Sequence, residues 1–204
     1  MTPIESNIAI LIPAAGASRR LGSPKQLLKW GGTTLLSHAI ETAEELDQKE
    51  VVVVLGAYYD QIKPKLKKSS TQILKNEDWK DGLGSSIAVG VEYLHNCNDD
   101  YDAVLIILPD QPLIDPLYLK TMIEKFRVGE NQIIASAYGN GKHGVPALFD
   151  KKYFKELIGL TDDRGAQKLI KQSAQFVTTL DKNPLISDID TKEDYNKIYK
   201  ANHQ

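Results

Sequence analysis

In Ile8-Ala9-Ile10-Leu11-Ile12-Pro13-Ala14-Ala15-Gly16-Ala17-Ser18-Arg19-Arg20-Leu21-Gly22-Ser23-Pro24-Lys25, an apolar run gives way to small residues and then to three cations. The apolar part reads as a strand buried on both faces, which favours a parallel sheet. Ala14, Ala15, Gly16, Ala17 and Ser18 carry so little side chain that backbone N–H groups there can crowd an anion. Arg19, Arg20 and Lys25 add positive charge at the C-terminal end of the first strand, where open α/β sheets bind ligands. The combination fits a nucleoside triphosphate. The spacing from Gly16 to Gly22, with Lys25 further on, is too long for a Walker loop, and Gly-x-Gly-x-x-Gly is absent.

Outward from that stretch, apolar β-branched runs alternate with amphipathic ones. Strands are expected at Ile8–Ile12, Val51–Leu55, Gln72–Leu74, Ala103–Leu108, Gln132–Ala137, Pro146–Phe149 and Gln175–Thr179. Helices are expected after a Thr33 or Thr34 cap, over Ser85–Leu94, Pro116–Phe126, Lys151–Leu157 and Gly165–Lys171, and from Thr191 with Asp194 completing a capping box. The pattern predicts one α/β, three-layer, Rossmann-like domain over residues 1–204 with a mostly parallel sheet. A chain of 204 residues is long enough for such a core. A net charge of −2 gives no sign of a nucleic-acid or membrane surface, and no apolar run approaches membrane-spanning length. The single Cys97, in a polar stretch, excludes an internal disulfide and suits a reducing cytoplasm.

Polyphosphate chemistry usually recruits Mg²⁺ through one or two carboxylates. Asp110 is the best candidate, because it follows the Ala103–Leu108 strand at the ligand-binding edge and sits in a turn stiffened by Pro109 and Pro112. Asp188 and Asp190 fall on one side of an extended segment, so one can face the site with the other beside it. Gly56 belongs to the next strand end and should frame a nucleoside. The turn around Gly82–Ser86 opens a helix whose free N–H groups, with Ser85, suit a phosphate. Trp30 and Trp79 are expected to pack at a core or rim, with stacking on a ring as the alternative. Tyr58 and Tyr59 should start a helix, and Lys63–Lys68 reads as a solvated helix face. His143 reads as a surface-loop histidine.

The Ala-Ala-Gly-x-Ser-x-Arg-x-Gly-x-x-Lys pattern resembles the signature of molybdenum cofactor nucleotidyltransferases, in particular the cytidylyltransferase branch. The resemblance continues through Asn76–Ser86, Pro109-Asp110-Gln111-Pro112, Gly141–Pro146, Asp163–Ala166 and Asp188–Thr191. It implies a nucleotide-diphospho-sugar transferase-like fold and a Mg²⁺-dependent cytoplasmic enzyme. That enzyme would transfer CMP from CTP to the phosphate of molybdopterin, release pyrophosphate, and pass its product in transient contact with a molybdoenzyme. Lys25 would reach the α-phosphate, Arg20, which takes the family's position, the outer phosphates, and Asp110 with Asp190 the metal; Arg19 would then point to solvent. Asn76 and Gly82 would bind the nucleotide, and Gly144 and Pro146 belong to the acceptor loop. The guanylyl branch carries glycine where Ala15 stands, so the Ala15 methyl would narrow the base pocket toward a pyrimidine. Val145, Gln167 and Pro109 depart from the residues common in that family. Other phosphorylated acceptors, a GTP-using homologue, a non-catalytic cofactor-delivery protein and a dinucleotide-binding oxidoreductase stand as alternatives.

Overall fold

The computed structural model describes residues 6–48, 50–66, 70–97, 100–139, 141–180 and 186–203. In chain order the strands and helices are β1 (Ile8–Ala14), β2 (Lys29–Trp30), β3 (Thr33–Thr34), α1 (Leu35–Glu44), β4 (Glu50–Leu55), α2 (Tyr59–Ile62), β5 (Gln72–Lys75), α3 (Leu83–Asn96) and β6 (Ala103–Ile106). Then come α4 (Pro116–Lys125), β7 (Ile133–Gly139), β8 (Lys142–Asp150), α5 (Phe154–Ile158), α6 (Gln167–Gln172), β9 (Val177–Leu180) and α7 (Lys192–Asn202).

Seven strands form one sheet in the order β5-β4-β1-β6-β8-β7-β9. β5, β4, β1 and β6 pair in parallel, β8 runs antiparallel between β6 and β7, and β9 is parallel to β7. β1 is buried along its whole length, which is why its sequence shows no polar alternation. Ile8, Ile10 and Ile12 pack with Leu36 and Ile40 of α1 and Leu119 and Met122 of α4. Ala9 and Leu11 face the other layer, with Ile87 and Val91 of α3, Leu157 of α5 and Ile170 of α6. The result is a single α/β domain in three layers, as the pattern predicts.

The topology fixes where a ligand can sit. β4 and β5 continue from β1 toward one edge, and β6 lies on the other side of β1. Loops leaving β1 and β6 therefore diverge at a switch point, and a crevice opens between them.

Local signals set the helix starts. Thr34 caps α1 by accepting from the Ser37 N–H at 3.2 Å, and Asp115 caps α4 by accepting from the Tyr118 N–H at 2.7 Å. Thr191 and Asp194 form the reciprocal capping box of α7.

Several boundaries differ from the sequence expectation. The β2–β3 hairpin was not anticipated, because two-residue strands leave no periodicity to read. Here Trp30 is 6% exposed and packs on Tyr199 and His203, with ring centroids at 6.0 and 4.5 Å. The strand expected at 146–149 is longer and antiparallel. The basic run expected on a helix face forms a single 3-10 turn at Lys63–Lys65 carrying Pro64, and Lys67 and Lys68 lie outside the described residues. Cys97 is half-buried and, in extended geometry, takes the chain out of α3.

Gly90 of α3 lies against β1: a Cβ there would come within 2.2 Å of the Leu11 Cδ1. Gly90→Ala is therefore expected to lose about 1–2 kcal/mol of unfolding free energy in urea, since overpacking outweighs the roughly 1 kcal/mol gain in helix propensity.

Candidate active site

The chain turns sharply after β1. Ser18 adopts φ 50°, Leu21 N–H donates to the Ser18 carbonyl at 2.9 Å, and Lys25 N–H donates to Ser18 Oγ at 3.1 Å. A non-glycine residue at positive φ is uncommon, and here it reverses the loop so that Lys25 returns to the end of β1. Pro13, Ala14, Ala15, Gly16, Ala17, Arg19, Lys25 and Gln26 line a cleft of about 390 Å³, a size that suits a small ligand. A methyl on Gly16 would meet nothing within 4 Å, so the space above it is open.

At the cleft floor Lys25 Nζ donates to Asp110 Oδ2. It also lies 4.0 Å from Asp190 Oδ1, while Arg20 pairs with Asp190 Oδ2 at 3.0 Å. The other Asp110 oxygen, Oδ1, is buried and has no hydrogen-bond partner among the described residues. Ile189 N–H donates to the Asp110 carbonyl at 2.9 Å, and the fully buried Ile189 side chain packs with Trp30 and Leu35. This arrangement lays residues 188–190 along the Asp110 turn, with the two carboxylates flanking a buried isoleucine, as side-chain alternation predicts.

Asp188 accepts from Gln111 Nε2 at 2.7 Å, and Gln111 Nε2 also donates to the Tyr138 hydroxyl at 2.5 Å. Burial raises the Asp188 carboxyl above the ordinary carboxylate range; the Gln111 bond opposes the shift, and Asp110 and Asp190 add to it. Burial, with Asp188 alongside, likewise pushes the Tyr138 phenol up.

The opposite wall carries Trp79, Lys80, Gly82, Leu83, Ser86 and Asp163. Gly82 has φ +100°, and a Cβ there would fall 2.2 Å from Asp163 Oδ1, so glycine is required both by the backbone and by the close approach of the 160–165 loop. Leu83 and Leu108 also line an adjoining recess of about 110 Å³ with Tyr138, Gly144, Gln167 and Asp188.

Lys25, Asp110 and Asp190 thus meet at one point, and residues 14–17 and Gly82 border the same cleft. Other expected site residues are placed differently. Arg19 is exposed, as expected, and also borders the cleft, while Arg20 pairs with Asp190. Asn76 is 2% exposed: it donates to Ser85 Oγ at 2.9 Å and Ser86 Oγ at 3.0 Å and accepts from the Asp78 N–H at 2.9 Å. It braces the entry to α3 from beneath rather than facing the cleft. Ser85 Oγ is turned onto the Gly82 carbonyl at 2.9 Å, so Ser86 lines the cleft in its place. The first helix N–H groups are not all free, since Gly84 N–H donates to the Asp162 carbonyl at 2.8 Å.

Gly56 is absent from the cleft lining. A Cβ on it would lie 2.6 Å from Trp79 Cβ and 2.7 Å from Ala15 Cβ, which makes it a packing glycine. The Ala15 methyl, expected to narrow a base pocket, is turned into this contact, and the residue is 4% exposed. Pro146 is buried and lines a small recess with Pro109 and Pro112, away from the cleft lining. His143 sits at the surface with Nε2 3.5 Å from Thr179 Oγ1. Two further residues line the cleft: Asp163, inside the Asp163–Ala166 motif, and Gln26, which directly follows the motif that ends at Lys25.

Comparison with known proteins assigns the class. Residues 10–176 match the MobA-like NTP transferase domain family, and the chain belongs to it. The nicotine blue oxidoreductase of Paenarthrobacter nicotinovorans is 31% identical over 193 residues, covering 91% of this chain and 90% of the relative. The purine catabolism protein PucB of Bacillus subtilis is 28% identical, covering 92% and 94%. Rv0371c of Mycobacterium tuberculosis H37Rv superposes with a TM-score of 0.83 at 29% identity, covering 98% of this chain and 100% of that one. A manganese complex of the same mycobacterial protein superposes with a TM-score of 0.79 at 26% identity, covering 96% and 100%. The chain is accordingly a nucleotidyltransferase of the MobA-like family.

The scaffold position of Asn76 is testable. Asn76→Ala is expected to lower unfolding free energy by about 1–3 kcal/mol, because two serine hydroxyls and a backbone N–H lose their partner. Urea unfolding reads the effect in the absence of any ligand.

Proposed function

We propose that the protein transfers CMP from CTP to the phosphate of molybdopterin, releasing pyrophosphate, and does so in the cytoplasm as one domain spanning residues 1–204. The observation that carries this reading is the meeting of Lys25 with Asp110 and Asp190 at the mouth of the β1 loop. The preference for CTP rests on the Ala14-Ala15-Gly16 motif of the cytidylyl branch. The acceptor would enter from the recess that holds Gly144, and handing the product to a molybdoenzyme would need only transient contact.

The residues present fit a divalent cation. Asp110 Oδ1 is a buried acceptor without a partner, and Asp190 is held beside it by cations. Among the described residues no cluster of three or more His, Cys, Asp or Glu side chains is placed to hold a metal. Phosphate oxygens and water would complete the shell, as is usual for Mg²⁺. When bound, Mg²⁺ would offset charge on the phosphates.

The chain's own groups do the rest. The N–H groups of the β1 loop and Arg19 hold the outer phosphates, while Arg20 keeps Asp190 in place. Lys25 leaves its carboxylates for the α-phosphate, where charge changes most. An acceptor phosphate oxygen attacks the α-phosphorus, the bond from phosphorus to the bridging oxygen breaks, and that oxygen leaves with pyrophosphate. The acceptor is already ionised near neutral pH, so no strong base is needed, and catalysis is positioning plus electrostatic stabilisation.

Incubation with CTP or GTP and a panel of acceptors, followed by pyrophosphate assay, tests the proposal. CTP with molybdopterin is expected to give the highest rate. A faster sugar or alcohol phosphate would replace the acceptor, and tight pterin binding without pyrophosphate would favour a delivery protein. The name of the Paenarthrobacter relative favours a second reading, an oxidoreductase; NAD(P)H consumption without pyrophosphate release would support it.

Lys25→Ala is expected to keep the fold and lose about 10²–10³-fold in kcat, the usual scale for removing a transition-state contact. A normal kcat would remove Lys25 from the chemistry. The same variant frees Asp110 and Asp190 of their ammonium, so Mn²⁺ should bind it more tightly than the unmodified protein without nucleotide, as read by paramagnetic resonance of free Mn²⁺.

A further inference from the structure

Along residues 14–17 the carbonyl groups are all bonded, whereas among the described residues two of the N–H groups are not. Four successive carbonyl oxygens are each taken by a donor from elsewhere in the protein. Gln26 Nε2 donates to Ala14 at 2.7 Å and to Gly16 at 2.9 Å. Ala57 N–H donates to Ala15 at 3.0 Å, and the Tyr58 hydroxyl donates to Ala17 at 3.1 Å. Among the described residues no hydrogen bond takes the N–H of Gly16 or Ala17, and both residues line the cleft.

Gln26 holds two of those carbonyls with a single amide nitrogen and uses both of its hydrogens. Its side chain reaches the loop from the following 3-10 turn, Lys25–Leu27, and the residue is 2% exposed. The orientation of the amide follows from its partners, because the reverse would set Oε1 against two carbonyl oxygens. Gln26 Oε1 is consequently left buried without a partner, a cost that plain packing does not require.

We infer that Gln26 is a positioning residue: it pins the Ala14 and Gly16 carbonyls to the protein side, so that the loop presents its N–H groups to a polyphosphate. The inference rests on the triphosphate reading above and adds a residue that touches the loop rather than the ligand. It also accounts for Gln26 following Lys25 directly. One short turn then carries the cation for the phosphate and the amide that orients the phosphate loop.

Gln26→Glu keeps the shape and removes both donors, and Gln26→Met keeps the length and removes the hydrogen bonds. Thermal unfolding checks the fold of each. Calorimetry then compares tripolyphosphate with Mg²⁺, CTP with Mg²⁺, and CMP. In folded variants the Kd for tripolyphosphate and CTP is expected to rise at least about tenfold, with KM for CTP rising more than kcat falls, while the Kd for CMP stays within about twofold.

In the unmodified protein, tripolyphosphate is expected to slow amide hydrogen exchange at Gly16 and Ala17, a readout that needs no variant. Equal losses for CMP and CTP would overturn the inference in favour of a general structural role. Unchanged affinities in the variants, or unchanged exchange at Gly16 and Ala17 in a protein that binds tripolyphosphate, would overturn it while leaving the triphosphate reading intact. No tripolyphosphate or CTP binding by the unmodified protein would overturn both.

Discussion

A single ion pair, Lys25 with Asp110, ties the loop leaving β1 to the turn leaving β6. Both strands lie at the centre of the sheet and both end at the same edge. The pair is mostly shielded, with side chains 22% and 12% exposed, so loss of either partner would leave a charge poorly compensated. Asp190 extends the pair into a cluster by meeting Lys25 at 4.0 Å and Arg20 at 3.0 Å. Lys25 and Arg20 are the cations that Asp110 and Asp190 meet there. A polyanion and a divalent cation would bring the same two signs of charge and can replace the contacts one for one. The proposed chemistry follows from that exchange.

Around the ion pair, small residues matter for two different reasons. Gly82 is forced by its backbone and by the approach of Asp163, and Gly56 by packing against Ala15 and Trp79. Gly16 has no neighbour that would exclude a side chain, so its smallness serves the open space above it. The first kind shapes the walls of the cleft; the second leaves room for a ligand. The carbonyls of residues 14–17 are taken by donors, and the Gly16 and Ala17 N–H groups have no partner among the described residues, which leaves donors to offer a ligand there.

Much of this was legible in the sequence because it rests on local rules. The unbroken apolar run of β1 announced a central strand. The spacing of Asp188 and Asp190 placed both carboxylates about Ile189, and the Thr191–Asp194 box marked the start of α7. Long-range contacts were not legible. Asn76 and Ser85 read as ligand-facing polar residues, yet they are turned on each other beneath α3. Arg20 pairs with Asp190, a partner 170 residues along the chain that no local pattern announces. The direction of β8 depends on a β7–β8 pairing that no single-strand pattern encodes. Gln26 sat unremarked among Lys25, Leu27 and Leu28, because its partners are backbone carbonyls ten and twelve residues away.

In the proposed function a nucleoside triphosphate and a divalent cation bind together between the β1 loop and the Asp110–Asp190 pair. Titration calorimetry of CTP into the unmodified protein, with Mg²⁺ and with the metal chelated, tests it most directly. One site per chain is expected, with affinity that strengthens when Mg²⁺ is present. Absence of CTP binding, or an affinity indifferent to the metal, would contradict it.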